Sequence, residues 1–504
     1  MKKNVLILQQ RKWALNIGLP LTNELINMGY SVSALTLKKS THQIITEKHS
    51  DKFSHIFNHD DVMESPKSYL SREVTLAEVC NALGVDSIWP LVNSLRNHVR
   101  SYGQKYYYGF KQNCSDEEIV TYVKALFLFC SEILETTRPD IIISPNFVAL
   151  PHIMLNLMAK KQGIPMQGVT DCKVRGFYIF SYSYLDDDCE FIERFKALEN
   201  GMVCSVNIER AQSYLEDNRK KMSQPVYMTK NTVIASNKQT FISFLKMGKA
   251  VSRGIFKKNV NIIDTLGITI DNKPTKILVR DFIQREINIR KSIGREYYEL
   301  ANLENIVYFP LQFQPEASID VAAPVFSNQL DAIRQVAMAL PDDFTLVVKD
   351  HPAALGFRSH KLLDKIYHIP NVKLIRWDTP SEEVLKKCQL VVSPNSTTLM
   401  EAAIYRIPAI QLGGLGTTSI LPNTHQYTDM GQISKKIKSL LEAFSKLDHD
   451  RYDKSLINFI ASAFDTGWDC NYVDVWENDK KEPREVLISI YLAEISRKLN
   501  EKNN

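Results

Sequence analysis

The feature that most constrains the fold is a regular alternation of apolar runs and helix patterns between residues 276 and 416. Such alternation is typical of a parallel sheet covered on both faces by helices, as in doubly wound Rossmann-like domains. The predicted strands are Ile306–Pro310, Thr345–Lys349, Val372–Ile375, Leu390–Ser393 and Ala409–Leu412. The predicted helices are about Ser327–Ala339, His360–Tyr367, Ser381–Lys387 and Leu399–Tyr405.

A second alternation of the same kind lies near the start of the chain. The apolar runs Val5–Gln10, Ser31–Leu37 and Ile141–Ile143 each predict a buried strand, and helix patterns separate them. Ser115, with Glu118 three residues later, forms a capping-box pattern that predicts the start of a long helix. The first part of the chain is therefore predicted to be a second parallel α/β unit.

These patterns predict two α/β domains with helical additions, which suits a chain of 504 residues. Two such domains usually hold a ligand in the cleft between them. We predict a first Rossmann-like domain over 1–235 with a helical insertion at 38–115, a helical connector over 236–272, a second Rossmann-like domain over 273–430, and a helical tail over 431–504.

Charge and composition exclude several classes of protein. A net charge of +5, from 62 basic and 57 acidic residues, is too small for a dedicated nucleic-acid binder. It is compatible with an anionic small ligand, or with loose association at an acidic membrane surface. No apolar run approaches the ~18 residues of a membrane span, and no secretory signal pattern is present. The eight cysteines form no CxxC pair, so we expect a cytoplasmic protein.

Polar residues follow two of the strand patterns of the second domain, where a ligand of a parallel sheet is expected. Lys349 and His351 end one strand, and both can donate hydrogen bonds to a phosphate oxygen. A hydroxyl-rich loop and the start of a helix follow the strand Leu390–Ser393, which favours an anion. The alternative is that Ser396 or Thr397 only caps that helix. The predicted phosphate-binding residues are Lys349, His351, Ser393, Asn395, Ser396, Thr397, Thr398 and Glu401.

Two further loops of the second domain are predicted to line the cleft. Gln312, Gln314 and Glu316 follow the strand Ile306–Pro310 in a loop stiffened by prolines. Gly413 and Gly414 follow the last strand and would let the backbone approach a ligand closely. The alternatives are an ordinary strand–helix loop and a common glycine turn.

The first domain offers a carboxylate and a cation at a strand end. Asp171 is a candidate base towards an acceptor hydroxyl, and Arg175 is a candidate ligand of an anionic group. Asp at a strand end is, alternatively, an ordinary surface residue. The run Asp186–Asp188 is predicted to be a solvated acidic loop. No His or Cys cluster has zinc spacing, so no metal site is predicted.

Four segments of the second domain together resemble the bacterial capsule polysaccharide biosynthesis proteins, a group that includes transferases of 3-deoxy-manno-octulosonic acid (Kdo) from its CMP-activated form. The segments are Tyr308–Glu316, Lys349–Pro352, Pro370–Val372 and Ser396–Ala402. The resemblance implies a GT-B fold, in which two Rossmann-like domains face a cleft and the second binds the nucleotide.

The same resemblance implies roles for single residues. His351-Pro352 matches a His-Pro element, also seen in bacterial sialyltransferases, whose His contacts the nucleotide phosphate. Ser396 and Thr397 match a loop that holds the phosphates. The catalytic carboxylate of the family lies in the first domain, where Asp171 is the nearest candidate.

The sequence thus predicts a metal-independent glycosyltransferase of capsule or lipopolysaccharide synthesis. Its donor is expected to be a nucleotide-sugar, by preference CMP-linked and Kdo-like, and its acceptor a saccharide or lipid-linked saccharide. No cofactor besides the nucleotide-sugar co-substrate is expected. Glu401 would position the ribose. Three alternatives stay open: a nucleotide-sugar epimerase, a polyol-phosphate transferase on the same fold, and a non-catalytic nucleotide-binding capsule protein.

Overall fold

Two mostly parallel sheets organise the chain. The computed structural model describes residues 3–95, 115–222 and 275–501, except 315, 415, 471, 479 and 480, together with 245, 248, 249 and 252. The predicted connector at 236–272 thus lies almost wholly outside the described residues. The strands are Asn4–Gln9 (β1), Ser31–Thr36 (β2), Ile56–Asn58 (β3), Ile141–Ile143 (β4), Met166–Asp171 (β5), Phe177–Ser181 (β6), Ile306–Pro310 (β7), Thr345–Lys349 (β8), Val372–Ile375 (β9), Cys388–Ser393 (β10), Ala409–Gln411 (β11), Thr424–Gln426 (β12) and Trp468–Asp469 (β13).

The first sheet has the strand order β13-β6-β5-β4-β1-β2-β3. Strands β1 to β5 are parallel, whereas β6 and β13 add an antiparallel edge. The chain starts in the middle of the sheet at β1 and moves outward, first to one side and then to the other. The order therefore reverses between β1 and β4, as in a doubly wound domain.

The second sheet has the order β12-β11-β10-β7-β8-β9, and all its pairings are parallel. All five predicted strands are present, and β12 is an additional edge strand that the pattern did not predict. The order reverses between β7 and β10, which makes the carboxyl ends of these two strands the expected place for a ligand.

Helices cover both faces of the two sheets, as the alternation predicted. In the first domain they are Arg11–Trp13, Leu19–Asn27, Lys39–His49, His59–Glu64, Leu76–Leu83, Trp89–Val92, Asp116–Thr137, Leu150–Lys161, Glu190–Glu199 and Ile208–Lys220. Those after it are Thr275–Ile293, Ala317–Asp320, Gln329–Ala337, His360–Tyr367, Ser381–Lys387, Thr398–Ile404, Ile433–Phe444, His449–Thr466, Tyr472–Asn478 and Lys481–Glu501. None of these described helices is long and apolar enough to cross a lipid bilayer.

The long helix Asp116–Thr137 begins at the predicted capping box. The Ser115 hydroxyl accepts a hydrogen bond from the Glu118 backbone N–H at 3.2 Å, and the Glu118 carboxylate accepts one from the Ser115 N–H at 2.7 Å. These reciprocal bonds satisfy two N–H groups that a helix start otherwise leaves unpaired. The prediction of this boundary from sequence is confirmed.

The region 38–115 differs from the predicted helical insertion. Its described part contains β3, which pairs in parallel with β2 through Ala34–Ile56 and Thr36–Asn58. The strand is three residues long, which is too short to give a clear alternation in sequence. This region therefore includes an integral edge of the first sheet.

The tail beyond the second domain returns to the first domain. Strand β13 pairs with β6, and the helix His449–Thr466 packs against the helices Glu190–Glu199 and Ile208–Lys220. Asp465 on that helix accepts hydrogen bonds from Arg194 Nε at 2.7 Å and from Ser205 Oγ at 2.7 Å. The tail therefore joins the two domains to each other.

Candidate functional site

The loops after β7, β8 and β10 leave the second sheet side by side. Strand β7 lies between β8 and β10, with Pro310 level with Lys349 and Tyr308 level with Val391. Strand β10 ends two residues later, at Ser393. The two predicted phosphate-binding segments and the predicted cleft loop therefore meet at one place, the second-domain edge, defined by the residues 311–314, 316, 349–352 and 393–397.

The loop after β7 is held by its own amides. Gln312 Nε2 donates to the Pro310 carbonyl at 2.9 Å, and Gln314 Nε2 donates to the Ser327 carbonyl at 3.0 Å. The Gln314 amide oxygen accepts from Gln329 Nε2 at 2.8 Å. Both predicted cleft glutamines are buried, so in this structure they shape the loop, because its backbone groups need partners. Contacts from either side chain to a ligand stay a prediction.

A buried ion pair joins this loop to the loop after β8. Arg358 Nε donates to the Asp350 carboxylate at 2.6 Å, and Arg358 Nη2 donates to the Gln312 carbonyl at 2.6 Å. Asp350 also accepts from the His351 backbone N–H at 2.8 Å. Arg358 is only 1% exposed, and the sequence analysis missed it because it lies beyond the strand-end motif. The pair fixes the backbone that carries His351.

His351 is a neutral hydrogen-bond donor. Burial, helped by the positive charges of Arg358 and Lys349, lowers the pKa of its imidazole to about 4. Its Nδ1 accepts a hydrogen bond from the Ala353 N–H at 3.1 Å. In a neutral imidazole the proton then lies on Nε2, which is left as a donor. The ring lies beside Phe313, with the ring centres 6.2 Å apart.

Lys349 carries a buried amine next to this donor. Its Nζ donates to the Thr379 carbonyl at 2.9 Å and to Ser381 Oγ at 2.8 Å. Burial lowers the pKa of the amine to about 8, although the nearby carboxylate of Glu401 opposes the shift. The described partners of Lys349 lie on the loop after β9, so its contact with a phosphate stays a prediction.

The hydroxyl-rich loop after β10 divides into buried and partly exposed side chains. Ser393 is fully buried and its hydroxyl has no hydrogen-bond partner among the described residues, while Thr398 is also buried. Ser396 Oγ accepts from the Thr398 N–H at 3.1 Å, so it does the capping that was the alternative interpretation. Asn395 and Thr397 are partly exposed, and Thr397 makes no capping bond. Contact of these two side chains with a ligand stays a prediction.

The glycines after β11 approach the protein's own chain. A Cβ on Gly413 would lie 2.2 Å from Ala323 Cβ, and one on Gly414 would lie 2.1 Å from the Ala322 carbonyl oxygen. The Gly414 N–H donates to that oxygen at 2.6 Å. The close backbone approach predicted for these glycines is thus made to the segment 322–323, and an approach to a ligand stays a prediction.

Arg175 and Glu401 face each other across the cleft. Arg175 Nη2 of the first domain lies 3.8 Å from Glu401 Oε1 of the second. Burial raises the pKa of Glu401, and the positive charges of Arg175 and Lys349 oppose this shift. The sequence predicted Arg175 as a ligand of an anion and Glu401 as a ligand of a ribose. In the structure these two side chains lie beside each other, and both contacts with a ligand stay predictions.

Asp171 ends β5 and is tied to Lys173. Its Oδ1 accepts from the Lys173 backbone N–H at 2.7 Å, and its Oδ2 lies 3.7 Å from Lys173 Nζ. The Asp171 side chain is 44% exposed. Burial lowers the pKa of Lys173, but the carboxylates of Asp171, Asp186 and Glu316 outweigh it and raise that pKa. Lys173 therefore interacts electrostatically with carboxylates from both domains.

Asp186 is a candidate that the sequence analysis missed. The acidic run 186–188 was predicted to be solvated, yet Asp186 is partly buried and its Oδ2 accepts from Thr170 Oγ1 at 2.8 Å. Burial raises the pKa of its carboxyl to about 6. The sequence does not indicate which of three consecutive aspartates is buried. Only the tertiary structure distinguishes Asp186 from the exposed Asp187 and Asp188.

Two more amides lie where the strand order of the first sheet reverses. Gln10 follows β1 and Asn146 follows β4 shortly after its end, and these strands are paired through Ile7 and Ile143. The side-chain oxygens of Gln10 and Asn146 are buried without a hydrogen-bond partner among the described residues. Amide oxygens of this kind accept hydrogen bonds from hydroxyl groups. Lys173, Asp171, Asp186, Gln10 and Asn146 together define the first-domain edge.

Comparisons with solved structures give distant likenesses over most of the chain. A UDP-N-acetylglucosamine 2-epimerase described as putative, from Listeria monocytogenes, is 11% identical, with 92% of this chain and 94% of that chain covered and a TM-score of 0.24. The KpsC β-Kdo 2,7 transferase of Thermosulfurimonas dismutans is 13% identical, with 58% and 71% covered and a TM-score of 0.31. A glycosyltransferase from Rickettsia africae is 10% identical, with 95% and 99% covered and a TM-score of 0.26.

The fold is α/β and GT-B-like, with two Rossmann-like sheets, as predicted. No curated protein sequence matches the chain significantly. The sequence profile of the family described as capsule polysaccharide biosynthesis protein matches residues 272–416. That range contains all four segments on which the resemblance was based. Residues 272–416, and with them the second-domain edge, therefore belong to the capsule polysaccharide biosynthesis family.

Proposed function

We propose that the protein is a glycosyltransferase of bacterial surface polysaccharide synthesis. It would move a sugar from a nucleotide donor, CMP-linked and Kdo-like by preference, to a saccharide or lipid-linked saccharide acceptor. The observation that carries the proposal is the meeting of three loops at the strand-order reversal of the second sheet, one of which carries the neutral His351. The match of this domain to the capsule family supports it.

The second-domain edge suits a leaving phosphate. Negative charge grows on the phosphate oxygen as the bond to the sugar breaks, and fixed donors stabilise it most when they need no rearrangement. His351 Nε2–H is such a donor, because the Asp350–Arg358 pair fixes its backbone and Ala353 fixes its tautomer. Asn395 and Thr397 would add hydrogen bonds, and Lys349 would add a positive charge behind them. The leaving group would then be stabilised without a metal ion.

The first-domain edge suits a hydroxylated acceptor. The buried amide oxygens of Gln10 and Asn146 have no donor among the residues that the structure describes, and sugar hydroxyls are donors of the required kind. Carboxylates at the same edge are candidates for accepting a proton from the attacking hydroxyl. We place this reaction in the cytoplasm, with the acceptor delivered at the inner membrane surface.

Nucleotide binding can be tested with a thermal-shift screen of the full chain against CMP, CDP, UDP and GDP. A ligand at about 100 times its Kd stabilises the folded state by ~2.7 kcal/mol, so the preferred nucleotide should raise the Tm clearly. We expect CMP to give the largest shift. The variant His351→Ala should reduce that shift, whereas His368→Ala, which changes an exposed histidine, should keep it. Equal and negligible shifts with every nucleotide would contradict the proposal.

Transfer itself needs a second assay. Activated sugar should be consumed only when a saccharide acceptor is present, and NMR should show a new glycosidic linkage. Conversion of a UDP-sugar without any acceptor would instead identify an epimerase. Nucleotide binding without turnover across a panel of activated sugars and acceptors would favour a non-catalytic role.

A further inference from the structure

We propose that Asp186, rather than Asp171, accepts the proton from the acceptor hydroxyl during sugar transfer. This inference rests on the proposed function and assigns one of its steps. Thr170 and Lys173 act as positioning residues for Asp186. The assignment follows from where the segment 182–189 lies, how Asp186 is held, and which charges surround it.

The segment 182–189 folds back towards the contact between the two domains. Asn156 holds its start, since its Nδ2 donates to the Tyr182 carbonyl at 2.9 Å and its Oδ1 accepts from the Tyr184 N–H at 3.1 Å. Further along the segment, the Leu185 carbonyl accepts a hydrogen bond from the Gly416 N–H of the second domain at 2.8 Å. Asp186 thus directly follows a residue that joins the two domains, which places it beside the cleft.

The backbone of Asp186 takes an unusual conformation there. Its φ is +55°, in the left-handed region that residues other than glycine seldom occupy, although asparagine and aspartate are found there more often than most. Such conformations persist where the surrounding structure holds them and are frequent at functional sites. The hydrogen bond from Thr170 Oγ1 to Asp186 Oδ2, 2.8 Å long, holds the carboxylate in a defined orientation.

Charged groups from several elements surround this carboxylate. Lys173 comes from the turn between β5 and β6, Asp187 is the next residue, and Asp171 ends β5. Glu316 reaches the same lysine from the second domain, and the Cys189 thiol lies in the same loop. Burial is the largest influence and raises the pKa of Asp186 to about 6, while Thr170 and Lys173 act in the opposite direction.

A carboxylate with these properties suits proton transfer near neutral pH. It is mostly ionised above pH 6, and it is a stronger base than an ordinary aspartate. Asp171 is less suitable, because its two oxygens are engaged by the backbone and amine of Lys173 and its side chain is half exposed. Asp171 therefore pairs with Lys173, whose positive charge also acts on Asp186 and opposes the rise of its pKa.

The step balances as a simple substitution. The acceptor hydroxyl oxygen forms a bond to the anomeric carbon, and its proton passes to an Asp186 carboxylate oxygen. The bond from the anomeric carbon to the phosphate oxygen breaks, and its electron pair stays on the phosphate at the second-domain edge. Asp186 then returns the proton to solvent, so no oxidant, reductant or further reactant is required.

The test is the pH dependence of kcat for the full chain and three variants, measured with a nucleotide-sugar and saccharide acceptor. In the wild type, kcat should rise with pH and level off above about 6. Asp186→Asn should lower kcat by roughly 10²–10⁴-fold, the usual contribution of a general base, and should abolish this rise. Asp187→Asn, the exposed neighbour, should change neither, and Asp171→Asn should keep the rise.

Two controls separate a chemical role from a structural one. The nucleotide-induced thermal shift of Asp186→Asn should match the wild type. Its Tm at neutral pH should be equal or higher, because a raised folded-state pKa means that ionised Asp186 opposes folding above pH 6. A pH rise that survives in Asp186→Asn, or disappears in Asp171→Asn, would overturn the assignment. A wild type that binds nucleotide but transfers no sugar would overturn the proposed function itself, and this assignment with it.

Discussion

The two edges that face each other across the cleft are built in different ways. The second-domain edge consists of loops that directly follow strands β7, β8 and β10, and it is held by hydrogen bonds within those loops and by bonds to buried residues of the same domain, such as Ser327 and Arg358. Its central donor, His351, is neutral. The first-domain edge is charged, and it is assembled from a strand end, a tight turn and a loop that folds back from residue 182.

This difference teaches which half of the site is rigid before a ligand arrives. Internal hydrogen bonds and the buried Asp350–Arg358 pair fix the second-domain edge, as electrostatic stabilisation of a leaving group requires. The first-domain edge relies on ion pairs that are partly exposed, such as Lys173–Asp171. We therefore expect substitutions in the second-domain edge to have the larger effects on binding the donor.

Among substitutions in the second-domain edge, the largest effect is expected from removing the hydrogen-bond donor of His351. His351→Ala should lower kcat by about 10²–10³-fold, the usual loss when one preorganised donor to a developing negative charge is removed. Steady-state kinetics with saturating donor and acceptor would measure it. His368→Ala is the matched control, because His368 is exposed on a helix end. A loss below tenfold would mean that the second-domain edge is not the preorganised half.

A smaller effect is expected from the packing that supports this edge. Gly414→Ala should destabilise the fold by about 1–3 kcal/mol, because the new Cβ would overlap the Ala322 carbonyl. Urea denaturation followed by circular dichroism would measure the change. Gly294→Ala is the control, since Gly294 is exposed and its nearest contact would be at 3.3 Å. Equal denaturation midpoints for the two variants would show that the backbone around Gly414 accommodates the added Cβ without loss of stability.

The smallest effect is expected from the ion pair between the edges. A double-mutant cycle with Arg175→Gln and Glu401→Gln should give a coupling energy of ~0.2–1 kcal/mol, because the pair is long and partly solvated. Thermal unfolding of the wild type, both single variants and the double variant would provide it. A coupling energy several times larger would show that this pair holds the two domains together. Partly exposed ion pairs would then contribute as much rigidity to the site as the buried bonds of the second-domain edge.

Much of the second domain could be predicted because its signals are local. Each strand of the second sheet from β7 to β11 is an apolar run followed directly by a polar motif, so strand, loop and candidate site are contiguous in sequence. The helices His360–Tyr367 and Ser381–Lys387 agree with their predicted bounds for the same reason. What was not predicted there, such as the roles of Arg358 and Gln329, depends on which backbone groups lack partners after folding.

The first domain was harder because its decisive contacts join residues that are distant in sequence. Asp186 accepts a hydrogen bond from Thr170, and Lys173 interacts electrostatically with carboxylates from both domains. Strand β3 is too short for a periodic signal, and β13 lies nearly 290 residues after its partner β6. Composition and periodicity carry no information about such long-range pairings, so the sequence predicted Asp171 from strand position and passed over Asp186.

The return of the tail to the first domain has a practical consequence for dissecting this protein. A fragment cut after residue 222 would lack Trp468, which packs against Phe180, and Asp465, which accepts hydrogen bonds from Arg194 and Ser205. Its sheet would end at β6 with unpaired backbone groups, an arrangement that favours self-association. A subcloned first domain would therefore lack contacts that the C-terminal tail supplies. Studies of nucleotide or acceptor binding should use the entire polypeptide.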